Sequence, residues 1–242
     1  MGRVMCYRCF WPGDFCWCNS LSEVPTRARF VILMHPKEFK QEKAGTGRLT
    51  HLSLPNSEIQ VGIEFDQHPA VQRLLADPKR YVVLLYPGKE AANLSREEVP
   101  FAVPNDRELV VLVLDATWAC ARKMLKLSPS LQRLPRVMFT PSTPSRYVIK
   151  QQPFEGCLST LESVREVIQS LHGRGLEPVD ESDQLLNLFD RMQQVQIDCA
   201  LDPNRGGYRR GRYGKPGERD PLQGKSARRR ANYFKLPADE PS

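Results

Sequence analysis

Four short, continuous apolar runs are the feature that most limits the fold of this chain. They lie at residues 28–34, 60–65, 81–86 and 109–114, and β-branched residues are frequent in them. Uninterrupted runs of this kind are typical of strands that are buried on both faces of a parallel sheet. Polar, helix-compatible segments separate the runs. The sequence therefore predicts an α/β fold, with a mostly parallel sheet and helices on both of its faces.

The charge of the chain is unevenly distributed. The 242 residues are enough for one sizeable core with small appendages, and their formal net charge is +7. Residues 203–235 contain eight Arg and three Lys against two acidic residues, a net charge of +9, which leaves −2 for the rest. This Gly- and Arg-rich tail is predicted to be disordered. It suits a polyanionic partner such as RNA, although a tail that only aids solubility has the same composition.

Four of the seven cysteines lie close together near the start of the chain, at Cys6, Cys9, Cys16 and Cys18. The first pair has the spacing that lets two thiolates face one ion, and the turn at Pro12 brings the second pair back to it. Four sulfur ligands favour tetrahedral Zn²⁺ and leave no position open for a substrate. We therefore expect a structural zinc site; a redox pair and a chance cluster are the alternatives.

Three helices follow from apolar residues at helical spacing. They are predicted at residues 118–127, after a capping box from Ser159 to Glu162, and at residues 183–201. Their apolar stripes are interpreted as core packing, and no ligand role is assigned to them.

Polar residues follow the predicted strands, and in open α/β sheets ligands bind at the carboxyl ends of the strands. His35 follows the first run, Pro87-Gly88 the third, and Asp115 the fourth. The alternative for Asp115 is structural, because it or Thr117 could cap the helix that begins there.

Five motifs occur in a fixed order behind the cysteine cluster: "HPKE" (35–38), "TGRL" (46–49), "LLYPG" (84–88), "LDATW" (114–118) and "CLSTLESV" (157–164). This ordered set resembles the DTW-domain family and looks most like its bacterial members, over about residues 6–171. The resemblance implies a SPOUT-like fold with a trefoil-knotted cofactor site. It also implies transfer of the 3-amino-3-carboxypropyl group of S-adenosylmethionine to N3 of a uridine in tRNA, typically in the variable loop.

The resemblance and the local chemistry together give each candidate residue an expected role. Asp115 is the candidate acceptor of the N3 proton, with Thr117 to orient it or hold the donor and Trp118 to stack on a base. The expected walls of the donor site are Pro87, Gly88, Leu158, Ser159, Thr160, Leu161 and Glu162. The candidate RNA contacts are His35, Glu38, Arg48, Arg122, Lys123, Arg209, Arg210 and Arg212.

The predicted organisation is a four-cysteine segment (residues 1–25), a catalytic domain (26–202) and a basic tail (203–242). The N-terminal residues contain no apolar segment of a secretory signal, so a cytoplasmic protein without membrane contact is expected. Nothing indicates an obligate protein partner. Two other functions remain open: a SPOUT-type RNA methyltransferase, and a non-catalytic zinc-ribbon protein that binds RNA.

Overall fold

A six-stranded, all-parallel sheet forms the centre of the protein in the computed structural model, which describes residues 4–41, 45–96, 98–149 and 156–201. In chain order the strands are β1 (Arg29–Met34), β2 (Ser57–Val61), β3 (Arg80–Leu85), β4 (Ala92–Asn93), β5 (Glu108–Asp115) and β6 (Arg136–Met138). Their order in the sheet is β2-β1-β5-β3-β6-β4. The longest strand, β5, therefore lies between β1 and β3, and five of its residues in a row are buried.

Helices cover both faces of the sheet, as predicted. They are α1 (Pro36–Gln41), α2 (Thr46–Ser53), α3 (Pro69–Ala76), α4 (Trp118–Lys126), α5 (Pro129–Gln132), α6 (Thr160–Gly173) and α7 (Asp183–Leu201). Side chains of α2, α6 and α7 pack in one apolar cluster, and those of α3, α4 and α5 pack in another across the sheet. Within the described ranges, no helix combines the length and the apolar character that crossing a bilayer requires.

The prediction of the second strand at residues 60–65 was wrong in its position. The strand begins at Ser57 and ends at Val61, so residues 62–65 lie outside it. It is also half-buried throughout rather than fully buried, because β2 is an edge strand that pairs only with β1. Asp66, which follows this run, is used structurally: it accepts hydrogen bonds from the backbone N–H and the hydroxyl of Ser130, in the first turn of α5.

The four-cysteine segment packs against the main core. Trp11 and Trp17 are buried, contact each other edge to face at 4.5 Å between ring centroids, and belong to the same apolar cluster as α2, α6 and α7. Val24 is fully buried there, and its N–H donates to the carbonyl of Ser53 at the end of α2. The two tryptophans therefore join the segment to the rest of the protein.

Candidate active site

Asp115 lies at the carboxyl edge of the sheet, as the last residue of β5 and beside the end of β1. Its side chain is buried, and Oδ1 accepts a hydrogen bond of 2.6 Å from the hydroxyl of Thr160, the first residue of α6. The Asp115 carbonyl accepts from the backbone N–H of His35 at 3.0 Å. Two strands and one helix therefore hold this carboxylate where open α/β sheets bind their ligands.

Gly47 provides the space for the Asp115 carboxylate. A Cβ atom added at Gly47 would lie 2.4 Å from Oδ2 and 2.6 Å from Cγ of Asp115, closer than non-bonded atoms approach. Because Gly47 is the second residue of α2 and Thr160 the first of α6, the carboxylate lies at the N-terminal ends of two helices. Both helix dipoles favour a negative charge at that position.

Thr117, and not Asp115, caps helix α4. Its hydroxyl accepts the N–H of Cys120 at 3.4 Å, and its backbone is extended, as expected for a residue that precedes a helix. Thr117 is exposed. The capping alternative that the sequence left open therefore applies to Thr117, while the Asp115 side chain is held by Thr160 and Gly47.

Two aromatic rings and an arginine lie together where β3 ends and β6 begins. The ring of the half-buried Trp118 meets the ring of Tyr86 edge to face at 6.2 Å, and the Arg136 guanidinium lies 5.6 Å from the Tyr86 ring centroid. A Cβ atom added at Gly88 would lie 3.3 Å from Nη1 of Arg136, so the loop at Pro87-Gly88 packs closely on that side chain. Burial raises the pKa of Tyr86, although Arg122 and Arg136 oppose this.

His35 is a buried histidine that favours its neutral form. Nδ1 accepts the backbone N–H of Lys37 at 3.1 Å, which leaves the ring proton on Nε2. Burial lowers the pKa of His35, and the charges of Lys37 and Lys123 lower it further. A neutral imidazole offers a phosphate one N–H donor but no charge.

The N-terminus of α6 has the predicted capping box. Ser159 accepts the N–H of Glu162 at 3.3 Å, and the Glu162 carboxylate accepts the N–H of Ser159 at 2.9 Å. The same buried carboxylate also accepts the hydroxyl of Ser145 at 3.0 Å and the N–H of Arg146 at 2.6 Å. Glu162 thus joins the preceding loop to α6.

The other predicted site residues are spread over the surrounding elements. Leu161 is fully buried in the core and Leu158 is half-buried before α6. Glu38 and Arg122 are half-buried and Lys123 is exposed. Arg209, Arg210 and Arg212 lie outside the described residues.

Arg48 was predicted to contact RNA, but only 6% of it is exposed. Its guanidinium lies between two aromatic rings, 4.4 Å from the centroid of Phe10 and 4.8 Å from that of Phe39. Nη2 donates to the carbonyl of Phe39 at 3.0 Å. Nε is buried and has no hydrogen-bond partner among the described residues. Burial lowers the pKa of Arg48, while the charge of Asp115 raises it.

The four cysteines form a group that could hold a metal ion. Their sulfur atoms all lie within 4.8 Å of one another, and the Cys6–Cys18 and Cys9–Cys16 separations are both 3.7 Å. A tetrahedral ion with metal–sulfur bonds of about 2.3 Å places its ligands about 3.8 Å apart. Hydrogen bonds from the backbone of Cys9 and Arg8 lower the pKa of Cys6 to about 6, whereas burial raises the pKa of Cys9 and that of Cys18.

Sequence reasoning missed Gly47, Tyr86 and Arg136. Only Arg48 had been selected from the "TGRL" motif, because a glycine gives no sign of the carboxylate that it accommodates. Tyr86 could have been found, since it is the polar-tipped last residue of an apolar run that ends at the ligand-binding edge. Arg136 lies in a three-residue strand, which is too short to have a recognisable pattern.

The fold and this site define an α/β protein with a buried carboxylate at the ligand-binding edge of a parallel sheet. The chain belongs to the DTW domain family, whose domain matches residues 3–197. It is 34% identical over 179 residues to the tRNA-uridine aminocarboxypropyltransferase 2 of Drosophila melanogaster, covering 71% of this chain and 68% of the relative.

Two further relatives have related names. The mouse tRNA-uridine aminocarboxypropyltransferase 2 is 33% identical over 165 residues, covering 66% of this chain and 54% of the relative, so the chain spans about half of its length. The tRNA-uridine aminocarboxypropyltransferase A of Arabidopsis thaliana is 28% identical over 199 residues, covering 72% of this chain and 75% of the relative. No solved structure matches the chain.

Proposed function

We propose that this chain is a tRNA-uridine aminocarboxypropyltransferase that uses S-adenosylmethionine as donor. The family membership and the names of its relatives support the activity. The observation that carries the proposal is the Asp115 carboxylate, fixed by Thr160 and Gly47 at the carboxyl edge of the sheet. The finer fold assignment, a SPOUT-like domain with a trefoil-knotted donor site, is part of this proposal. So is a cytoplasmic location.

Asp115 accepts the N3 proton of the uridine as the new bond forms, because N3 is a poor nucleophile while it is protonated. The N3–Cγ bond forms, the Cγ–S bond breaks, and its electron pair neutralises the sulfonium, so that 5′-methylthioadenosine leaves. The donor supplies a carbon that is already activated, and the protein contributes mainly position. Thr160 orients the accepting carboxylate through its hydrogen bond of 2.6 Å.

The residues near Asp115 fit this donor. Arg136 offers a cation to its carboxylate, and the close packing of Gly88 on Arg136 leaves a loop of main chain as one wall. Leu158 and Trp118, both half-buried, offer apolar surface to the adenine or the uridine. The cysteine cluster is proposed to hold a structural Zn²⁺ apart from the chemistry, because all four ligand positions are sulfur.

The test is transfer of label to tRNA by the wild-type protein and by Asp115→Asn. Carboxyl-labelled donor should label tRNA and methyl-labelled donor should not, whereas a methyltransferase gives the reverse. Asp115→Asn keeps the shape of the side chain, so we expect a loss of at least about 100-fold in transfer rate with donor affinity nearly unchanged. Calorimetry with S-adenosylmethionine tests the remaining alternative: RNA binding without donor binding would indicate a non-catalytic RNA-binding protein.

A further inference from the structure

A cleft of about 470 Å³ lies between the four-cysteine segment and helices α1 and α2, and the reaction proposed above does not use it. Its lining includes Arg8, Phe10, Phe39, Arg48, His51 and Ile59. The volume is in the usual range for a small-molecule site. Arg48 directly follows Gly47, on which the Asp115 carboxylate rests, and the charge of Asp115 acts on it, so the cleft lies close to the proposed active site.

Two phenylalanine rings at the cleft are exposed. Phe10 is 44% exposed and Phe39 is 39% exposed. The Arg48 guanidinium lies between them and covers one face of each ring. The exposed surface of each phenylalanine therefore includes area on which a planar group could stack.

The cleft also carries positive charge. Arg48 is buried, yet its Nε atom has no hydrogen-bond partner in the described part of the chain, which is a costly state for a charged group. Arg8 adds a second cation, and Glu23 is the acidic residue among the lining side chains. A ligand with a planar ring and an anionic oxygen would match the exposed phenylalanine rings and the positive charges of Arg8 and Arg48.

The backbone at Phe10 indicates that its ring has a function. Phe10 has φ 59°, in the left-handed region that glycine adopts freely and bulky residues avoid. Its N–H donates to the carbonyl of Cys6 at 2.8 Å, so the turn that holds the cysteines requires this conformation. Glycine would meet that requirement without strain. A phenylalanine there is expected where the ring itself contributes something.

We propose that this cleft binds unstacked nucleotides of the tRNA substrate, with bases on the outer faces of Phe10 and Phe39 and phosphate at Arg8 and Arg48. Single-stranded nucleotides are recognised in this way, by aromatic stacking combined with arginine. This inference rests on the proposed function for its choice of RNA. It assigns to the four-cysteine segment a direct role in substrate binding, in addition to its structural role.

The test compares variants of the full-length protein, loaded with Zn²⁺, in binding to unmodified tRNA. Phe10→Gly removes the ring and relaxes the backbone, so the protein should stay folded and keep its metal. We expect its Kd for tRNA to rise about tenfold, the usual effect of losing one stacked base. Phe39→Ala should act in the same direction without touching the cysteine segment. Val179→Ala, at a side chain of similar exposure outside the cleft lining, is the matched control and should bind as the wild type does.

Arg8→Gln should weaken tRNA binding. It should also reduce the slope of log Kd against log salt by about one unit, the effect of losing one phosphate contact. Unchanged tRNA affinity in both Phe10→Gly and Phe39→Ala would overturn the proposal and would indicate that the cleft does not bind the RNA. The label-transfer assay on the wild-type protein is independent of this result. Absence of transfer would refute the proposed function, whereas the binding series decides the cleft on its own.

Discussion

At the scale of single residues, the site depends on the close packing of Gly47 against the Asp115 carboxylate, which the sequence alone does not reveal. The "LDATW" motif indicated that Asp115 was important, and its position at the end of an apolar run indicated the edge of the sheet. The carboxylate is held by Gly47 and Thr160, which lie 68 residues before it and 45 residues after it in the chain. Contacts at that separation follow from the tertiary fold and not from local pattern.

Gly47→Ala should inactivate the protein because its Cβ atom would displace the Asp115 carboxylate. Alanine is otherwise the better helix former, so local propensity alone would make α2 more stable. We expect transfer to fall at least about 100-fold, comparable with the loss of a general base. Gly173→Ala, where an added Cβ atom meets nothing within 4 Å, is the control and should keep wild-type transfer. Equal activity in the two variants would show that the carboxylate need not lie against Gly47.

His51 should make the protein less stable at mildly acidic pH. Burial lowers its pKa below the ordinary value of 6.5, and Arg48 contributes in the same direction. As the pH falls below 6.5, the unfolded chain therefore takes up a proton that the folded protein resists, and the free energy of unfolding decreases.

In the variant His51→Asn, the amide oxygen lies near the position of His51 Nδ1, which contacts the Ser57 hydroxyl at 2.8 Å. The asparagine side chain does not titrate. Urea denaturation of the wild type and His51→Asn between about pH 5 and 8 should show a shallower acid-side loss in the variant. Parallel pH curves would mean that His51 titrates normally in the folded state.

At the scale of elements, the strongly patterned segments were predicted well and the short or atypical ones were not. Continuous apolar runs predicted β1, β3 and β5, and apolar residues at helical spacing predicted α4, α6 and α7. Helix α7 has the predicted bounds. Helix α2 was missed because its sequence, TGRLTHLS, contains glycine and β-branched residues that disfavour helices; burial of Leu49 and Thr50 outweighs that preference. Strands β4 and β6 have two and three residues and depend on pairing with distant segments.

Glu162 should stabilise the protein through α6 and the loop before it. Glu162→Ala leaves the N–H groups of Ser159 and Arg146 without their acceptor, so we expect the free energy of unfolding to fall by about 2–4 kcal/mol. The KM for S-adenosylmethionine should also rise, since the same loop and helix end flank Thr160. Glu64→Ala, at an exposed carboxylate, is the control for removal of a charge. An equal effect of the two variants on stability would contradict this role.

At the scale of the whole molecule, the four-cysteine segment and the α/β domain share one core. Their boundary near residue 25 is a prediction from composition, and the packing of Trp11, Trp17 and Val24 shows how closely the two parts are joined. The tail after residue 202 and its arginines lie outside the described residues, so their RNA-binding role stays a prediction.

Removal of the metal should therefore destabilise more than the segment that binds it. We expect one Zn²⁺ per chain, and its chelation should lower the Tm and shift tryptophan fluorescence to longer wavelength as Trp11 and Trp17 become hydrated. Cys16→Ser should lose the metal, whereas Cys120→Ser, at a half-buried thiol outside the cluster, should keep it. Full metal content in Cys16→Ser would exclude the proposed ligand set.

The order of strands in the sheet has a consequence for how the chain folds during synthesis. The central strand β5 pairs with β1, where Arg29 faces Val110, and with β3, where Arg80 faces Glu108. When β1, β2 and β3 have left the ribosome, the strand that must join them has not yet emerged. Pairings so distant in sequence are slow to form and leave strand edges exposed meanwhile. Since Thr160 follows later still, we expect the reactive centre to assemble only after the start of α6 has emerged from the ribosome.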